Sequence, residues 1–354
     1  LGILFLPSAL PISAIFFFIS LIVSFLISER PYLKNKWNYF ILVSISLITF
    51  SCIRNSLDSA LNETFSRDPS LIWLDMSNWI PLFLLFWGSQ IYTKNENKRK
   101  IFAKLLLIST VPVFISCIGQ LWLGWHGPFY SFYGLIVWFM RPITENDNLT
   151  GLFSNSNYLG CWLSVVFPFS AVMLKDKKSK MKSFFISSLN LLFIYLILLT
   201  SSRNALASIF ISLGMLKIKF IFLFILFLIF TPFITYSLFP KLFFDFGESF
   251  LPINLIKRFR ISSNSTIFES IRVEIWKKTL SLIGERPLWG WGGGIFPLLY
   301  IAINGYYAAQ HSHNLPLHLA STYGIPLAIS LVGLVSLIIF KSYKVIFQNV
   351  DRGS

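Results

Sequence analysis

Long uninterrupted apolar runs recur along this chain and constrain its fold more than any other feature. Several approach the length of about 20 residues that lets a helix cross the hydrocarbon core of a bilayer. Of the 354 residues, 55% are hydrophobic and only 13% are charged, which is more apolar surface than one soluble core can bury. The sequence therefore predicts an all-α, polytopic transmembrane helical bundle with a long extracytoplasmic loop.

Nine membrane spans are predicted from these runs. They cover residues 3–27, 37–53, 72–92, 101–123, 158–174, 184–200, 204–216, 218–239 and 315–340. The seventh is short for a full crossing, which leaves a tilted, broken or re-entrant helix open. The predicted domains are a transmembrane helical region at 1–239, an extracytoplasmic catalytic loop at 240–314, and a final transmembrane helix with a cytoplasmic tail at 315–354.

The distribution of Lys and Arg gives the predicted orientation. These residues concentrate in alternate loops, at 30–36, 94–104, 175–182, 217–219 and 341–352. Because basic loops stay in the cytoplasm, the loop at 240–314 is predicted to face the periplasm. The net charge of +15 is thus interpreted as membrane topology, and no nucleic-acid partner is expected.

The predicted outer loop contains an amphipathic helix at 266–284. Its apolar face comprises Ile267, Phe268, Ile271, Ile275, Trp276, Leu280 and Ile283. Arg272 lies within that face, between Phe268 and Trp276. Two interpretations stay open: an arginine that snorkels at the membrane surface, or a guanidinium that grips an anion such as phosphate.

The segment His311-Ser312-His313-Asn314 is the most informative stretch of the chain. It precedes the last apolar run, where a helix N-terminus would disfavour protonated imidazole and favour a neutral general base. A structural alternative has Asn314 capping the helix and the histidines among lipid headgroups. A zinc site that includes His318 is the third alternative, but no Glu or Asp follows at ligand spacing, and no metal or other cofactor is expected.

Three further features are weaker candidates. Arg203, at the outer end of the sixth span, is either an interfacial anchor or a ligand-binding cation. Asp75 is either an intramembrane carboxylate or a residue at the interface. Residues 290–294 include four glycines, which would let a ligand approach the backbone or would form a flexible loop.

Four segments in this order resemble the O-antigen ligase and polymerase family of bacterial envelope-glycan enzymes. They are 151–160, Ser202-Arg203, Arg272 with Trp276 ahead of 287–292, and 311–314 ahead of 323–326. The resemblance covers residues 100–340. One feature departs from the family pattern, since Ser321-Thr322 replaces the acidic residue that often follows the His-Asn pair.

The resemblance implies glycan transfer from an undecaprenyl-diphosphate-linked donor to the hydroxyl of a glycan or lipid-linked acceptor, at the bacterial inner membrane and without a metal. It implies His313 as the catalytic base and Arg203 and Arg272 as diphosphate-binding residues, with His311 and Asn314 as secondary site residues. Ligase and polymerase fit the residues equally. The alternative class is a solute transporter such as a bicarbonate carrier, and a non-catalytic envelope role is a third. Transport is disfavoured because the spans hold few charges and show no inverted repeat.

Overall fold

The computed structural model describes residues 1–27, 35–59, 63, 68–143, 148–173, 179–216, 266–304 and 309–348. This part of the chain is mostly helical, as predicted. In chain order, its helices are α1 (Gly2–Phe5), α2 (Leu10–Ile27), α3 (Lys36–Ser56), α4 (Ser70–Met76), α5 (Ile80–Ser89), α6 (Glu96–Ser109), α7 (Val111–Trp122), α8 (Ser156–Val172), α9 (Lys180–Leu199), α10 (Arg203–Met215), α11 (Thr266–Glu285), α12 (Phe296–Asn304), α13 (Leu315–Tyr323) and α14 (Ile325–Gln348).

Six helical segments among the described residues are long and apolar enough to cross a membrane. They are Leu10–Ile27, Lys36–Ser56, Ser70–Tyr92, Glu96–Trp122, Lys180–Leu199 and Ile325–Val345. Two other predicted spans, 158–174 and 204–216, are helices of 17 and 13 residues. The predicted span 218–239 and the first part of the 240–314 loop lie outside the described residues.

Asparagine side chains begin several of these helices. Asn95 accepts a hydrogen bond from the Lys98 backbone N–H at 2.9 Å, and Asn155 accepts one from the Asn157 N–H at 2.8 Å. Such caps satisfy N–H groups that the first helical turn leaves without an intrahelical partner. Proline lies in the first turn of α5, α7 and α13, where its missing N–H costs no helical hydrogen bond.

The prediction of one helix over 315–340 is wrong, because the structure has two helices there. α13 ends at Tyr323, the following Gly324 has a left-handed φ of +100°, and α14 begins at Ile325. The backbone of Leu288 approaches so closely that any side chain at position 324 would overlap its carbonyl oxygen. Glycine permits both this φ and this contact, and the helix is therefore interrupted at residue 324. The last candidate span begins after the interruption, at Ile325.

The chain divides into two compact units, each with its own core. Unit 1 comprises Leu1–Ser20 and Tyr92–Ser263, and unit 2 comprises Leu21–Ile91 and Asn264–Ser354. The core of unit 1 is formed mainly by α8, α9 and α10, with Phe167, Phe193 and Ile209 buried among them. Unit 2 has one core between α3, α13 and α14 and another between α11 and α12.

A short β-hairpin in unit 1 was not predicted by the all-α assignment. Its strands, β1 (Phe129–Ser131) and β2 (Ile136–Trp138), pair in antiparallel register. The turn between them holds Phe132 and Tyr133 at positive φ, 49° and 55°. Aromatic residues of this region line an apolar cavity of about 490 Å³, where Trp138 Nε1 donates to the Ser8 carbonyl. Three-residue strands are too short for an alternating pattern to distinguish them within an apolar sequence.

Candidate active site

The predicted base lies at a sharp turn immediately before α13. His313 has a φ of +53°, which is rare for residues other than glycine. Asn314 then takes an extended conformation, and its side-chain Oδ1 accepts a hydrogen bond from the Leu317 N–H at 3.2 Å. The interpretation of Asn314 as a helix cap is therefore confirmed. Capping does not involve the imidazole of His313, so that ring remains available for chemistry.

The amphipathic helix α11 holds this turn from the side. Trp276 Nε1 donates to the Ser312 carbonyl at 3.0 Å, and Ser312 is fully buried. The Ser312 hydroxyl donates in turn to the Asn314 carbonyl at 2.8 Å. The backbone on both sides of His313 is thus tied to α11 or to its own turn.

The packing face of α11 differs in part from the predicted one. Ile275 and Ile283 are buried as expected, but Leu280 is 56% exposed while Leu282 is buried. Leu282 belongs to the core that α11 forms with α12, which turns Leu280 away from that core. The side chains of the predicted face before Arg272 lie outside the described residues.

Three histidine rings lie together at this end of α13. The ring centroids of His311 and His313 are 4.3 Å apart, and those of His311 and His318 are 6.3 Å apart. His311 and His313 are exposed, whereas His318 is partly buried and packs edge-on against Phe296 at 5.9 Å. Within the described parts of the chain, no group of three or more His, Cys, Asp or Glu residues is arranged to hold a metal ion.

The surroundings of His313 lower its pKa below the usual value for histidine. Partial burial is the largest cause of the lower pKa, and electrostatic interactions with His311 and Arg272 act in the same direction. A lower pKa keeps the ring neutral near pH 7, the form that can accept a proton. The sequence predicted a neutral ring from the helix terminus, whereas the causes in the structure are burial and electrostatic interactions with two neighbouring basic side chains.

Of the two predicted phosphate-binding arginines, Arg272 belongs to the same unit as His313. Arg272 is exposed on α11, and its charge contributes to the lowering of the pKa of His313. Arg203 belongs to unit 1 and is the exposed first residue of α10. At that corner α8 and α10 pack closely, since a side chain at Gly160 would come within 3.0 Å of Ser202 Cβ.

The glycine loop (residues 287–294) packs against the end of α13. The backbone N–H groups of Trp291 and Gly292 donate to the carbonyls of Ser321 and Thr322, each at 2.8 Å. These carbonyls belong to the last turn of α13, which has no intrahelical donors for them. The sequence suggested that a ligand approaches this backbone, whereas in the structure the group that lies against it is the protein's own main chain.

An ion pair fixes the start of the glycine loop. Arg286 donates to the Asp58 carboxylate at 2.9 Å, and its guanidinium lies 4.6 Å from the ring centroid of Trp291. Ser51, on α3, donates to the Trp289 carbonyl at 2.6 Å. The contacts of Arg286 with Asp58 and of Ser51 with Trp289 could not be predicted from sequence, because their partners are more than 200 residues apart.

Asp75 also forms a hydrogen bond with the last residue of α13. Tyr323 Oη donates to Asp75 Oδ2 at 2.6 Å, and Asn78 Nδ2 donates to the other carboxylate oxygen at 3.1 Å. The negative charge of Asp75 acts on His318, where it opposes the lowering of the pKa by burial. Sequence analysis identified Asp75 as a candidate but did not pair it with Tyr323.

Residues 188–332 match the protein-family model described as O-antigen ligase. Over these residues the chain is similar to O-antigen ligases. The matched segment includes Arg203, Arg272, the glycine loop and His313. Asp75 lies outside it, because the match begins at residue 188. No curated protein matches the chain.

The similarity to O-antigen ligases and the six candidate spans together indicate a multi-pass protein of the bacterial inner membrane. Glycan transfer of the O-antigen ligase type is the supported class of function, and lipid-linked glycans are the implied class of substrate. The match gives no support to the alternative of a solute transporter.

Proposed function

We propose that this protein transfers a glycan from an undecaprenyl-diphosphate-linked donor to an acceptor hydroxyl, with His313 as the general base and without a metal. The observation that carries the proposal is the exposed His313 ring at a constrained turn inside the family-matched segment, where partial burial and neighbouring groups lower its pKa. A base must be unprotonated and accessible to its substrate, and the lowered pKa and the exposed ring of His313 support that role.

The proposed step conserves atoms and charge. A ring nitrogen of His313 takes the proton of the acceptor hydroxyl while the acceptor oxygen bonds to the anomeric carbon of the donor sugar. The bond from that carbon to the diphosphate oxygen breaks, and the diphosphate leaves with the electron pair. Developing negative charge on the leaving group is best stabilised by fixed cations, the role we propose for Arg203 and Arg272.

The test uses purified protein in liposomes with a lipid-diphosphate donor and an acceptor, in chelator-containing buffer. We expect His313→Ala to lose about 10²- to 10⁴-fold in rate, the usual contribution of a general base. His311→Ala and His318→Ala are the matched histidine controls and should retain more activity. Normal turnover by His313→Ala would refute the proposed base, and loss of wild-type activity in chelator would refute metal independence.

The proposed orientation places the 240–314 loop in the periplasm. The physical basis is the concentration of Lys and Arg in the alternate loops. Cysteines introduced at Ser263 and Lys178 can be labelled in intact cells with a reagent that crosses only the outer membrane. Labelling at position 263 alone is expected, and labelling at position 178 alone would reverse the orientation and remove access to a periplasmic acceptor.

A further inference from the structure

The Asp75–Tyr323 hydrogen bond joins two segments that lie 248 positions apart in the chain. Tyr323 is 2% exposed, and its hydroxyl donates to Asp75 Oδ2 at 2.6 Å. A bond to a carboxylate is stronger than one between neutral groups. Its removal would leave a buried hydroxyl without this partner, so the contact constrains the position of Tyr323.

Tyr323 is the last residue of α13, and His313 stands two residues before its first residue. α13 has nine residues and is internally hydrogen-bonded, so it moves as one rigid element. A shift at Tyr323 is therefore passed along the helix to the turn that carries His313. The Trp276–Ser312 bond holds the other end of the same element.

Asp75 also supports the glycine loop. Any side chain at position 293 would overlap the Asp75 side chain, so the loop backbone lies directly against the carboxylate. The neighbouring Trp291 and Gly292 bond to the last turn of α13. Asp75 consequently contacts both parts of the junction between the glycine loop and α13.

We propose that Asp75 is a positioning residue of the transfer reaction: through Tyr323 it holds α13 in the orientation that presents His313 to the acceptor hydroxyl. The inference rests on the proposed function and extends it to a residue outside the family-matched segment. It assigns Asp75 no contact with substrate. A rival explanation is that the bond only stabilises the fold.

Turnover measurements distinguish these two explanations. In the liposome assay, Asp75→Ala and Tyr323→Phe should lower kcat about 10- to 100-fold, because a displacement of about 1 Å at a reacting group has effects of this size. The KM for the donor should change less than about twofold, since a positioning residue adds no uniform substrate binding. Asp75→Asn keeps an oxygen that can accept from Tyr323 and should recover most of the lost kcat. Asp68→Ala removes an exposed carboxylate seven residues earlier and is the matched control.

A double-mutant cycle tests whether the two residues act as one pair. The double variant Asp75→Ala/Tyr323→Phe should have the same kcat as Asp75→Ala alone. Each single substitution already removes the hydrogen bond between the two side chains, so the second substitution has nothing further to remove. Multiplicative losses would overturn the proposal, as would wild-type kcat in Tyr323→Phe. If Asp75→Ala does not fold, Asp75→Asn and Tyr323→Phe still distinguish the positioning role from a purely structural one, because both substitutions nearly preserve the size of the side chain. Parallel measurement of His313→Ala separates the two ideas: an inactive His313→Ala beside fully active pair variants refutes only the positioning role.

Discussion

Substitution of Gly290 by alanine tests how strictly the glycine loop must fit against α13. Gly290 has a φ of +61°, and a Cβ there would lie 2.5 Å from the carbonyl carbon and oxygen of Thr322. The left-handed backbone costs about 1–2 kcal/mol for alanine. Relief of the overlap must move the loop and break its two bonds to the α13 carbonyls, at about 0.5–1.5 kcal/mol each. The expected loss in unfolding free energy of unit 2 is therefore about 2–5 kcal/mol by addition of these terms.

Gly284→Ala is the matched control for this substitution. Gly284 lies in α11, and a Cβ there meets nothing within 4 Å. Alanine should stabilise the helix by up to about 1 kcal/mol, so the two variants should shift stability in opposite directions. Thermal unfolding of the purified protein in one detergent, followed by tryptophan fluorescence, measures both. Equal midpoints for Gly290→Ala, Gly284→Ala and wild type would show that the loop does not need the close approach.

Three further substitutions test the site. Trp276→Phe removes the donor to the Ser312 carbonyl, and an unpaired buried carbonyl costs about 1–3 kcal/mol, so both the thermal stability and the transfer rate should fall. Wild-type stability and rate in this variant would contradict the role of the bond in holding the turn against α11. His311→Gln removes a titratable neighbour whose electrostatic interaction lowers the pKa of His313, so the base should be protonated at higher pH and the acid limb of the rate profile should move to higher pH. An unchanged acid limb would show that His311 does not act on the base. Arg272→Lys should lower donor affinity or turnover because a point charge loses the bidentate fork of arginine, and full activity in this variant would favour the snorkelling interpretation.

The helices could largely be predicted from sequence because their determinants are local. Apolar runs, asparagine caps and first-turn prolines all act within a few residues, and six of the predicted spans correspond to helical segments of sufficient length and hydropathy. The break at Gly324 could not be recognised in this way. It depends on the approach of the Leu288 backbone, and apolar sequence continues on both sides of the glycine.

The candidate site was predictable to a similar degree. His313, Asn314 and Trp276 lie in short segments that the sequence made conspicuous, and Asn314 caps its helix as the local pattern suggested. The pairing of Asp75 with Tyr323 required tertiary structure, because nothing within either segment specifies the other. The glycines of residues 290–294 suggested the approach of a ligand to the backbone, whereas the group that lies against them in the structure is the end of α13.

The turn at His313 shows how these distant contacts could serve the chemistry. A left-handed backbone at a residue other than glycine costs about 1–3 kcal/mol and persists only where the surroundings over-determine it. Here the surroundings are the Trp276 bond from α11, the Asn314 cap, and the contacts of Asp75 and the glycine loop at the far end of α13. Each contributes about as much free energy as the strained turn costs, so loss of one can let His313 relax while the rest of the unit stays folded. Substitutions of this kind should therefore affect turnover before they affect the abundance of the protein, and this order of effects separates a positioned base from a histidine that only occupies a helix end.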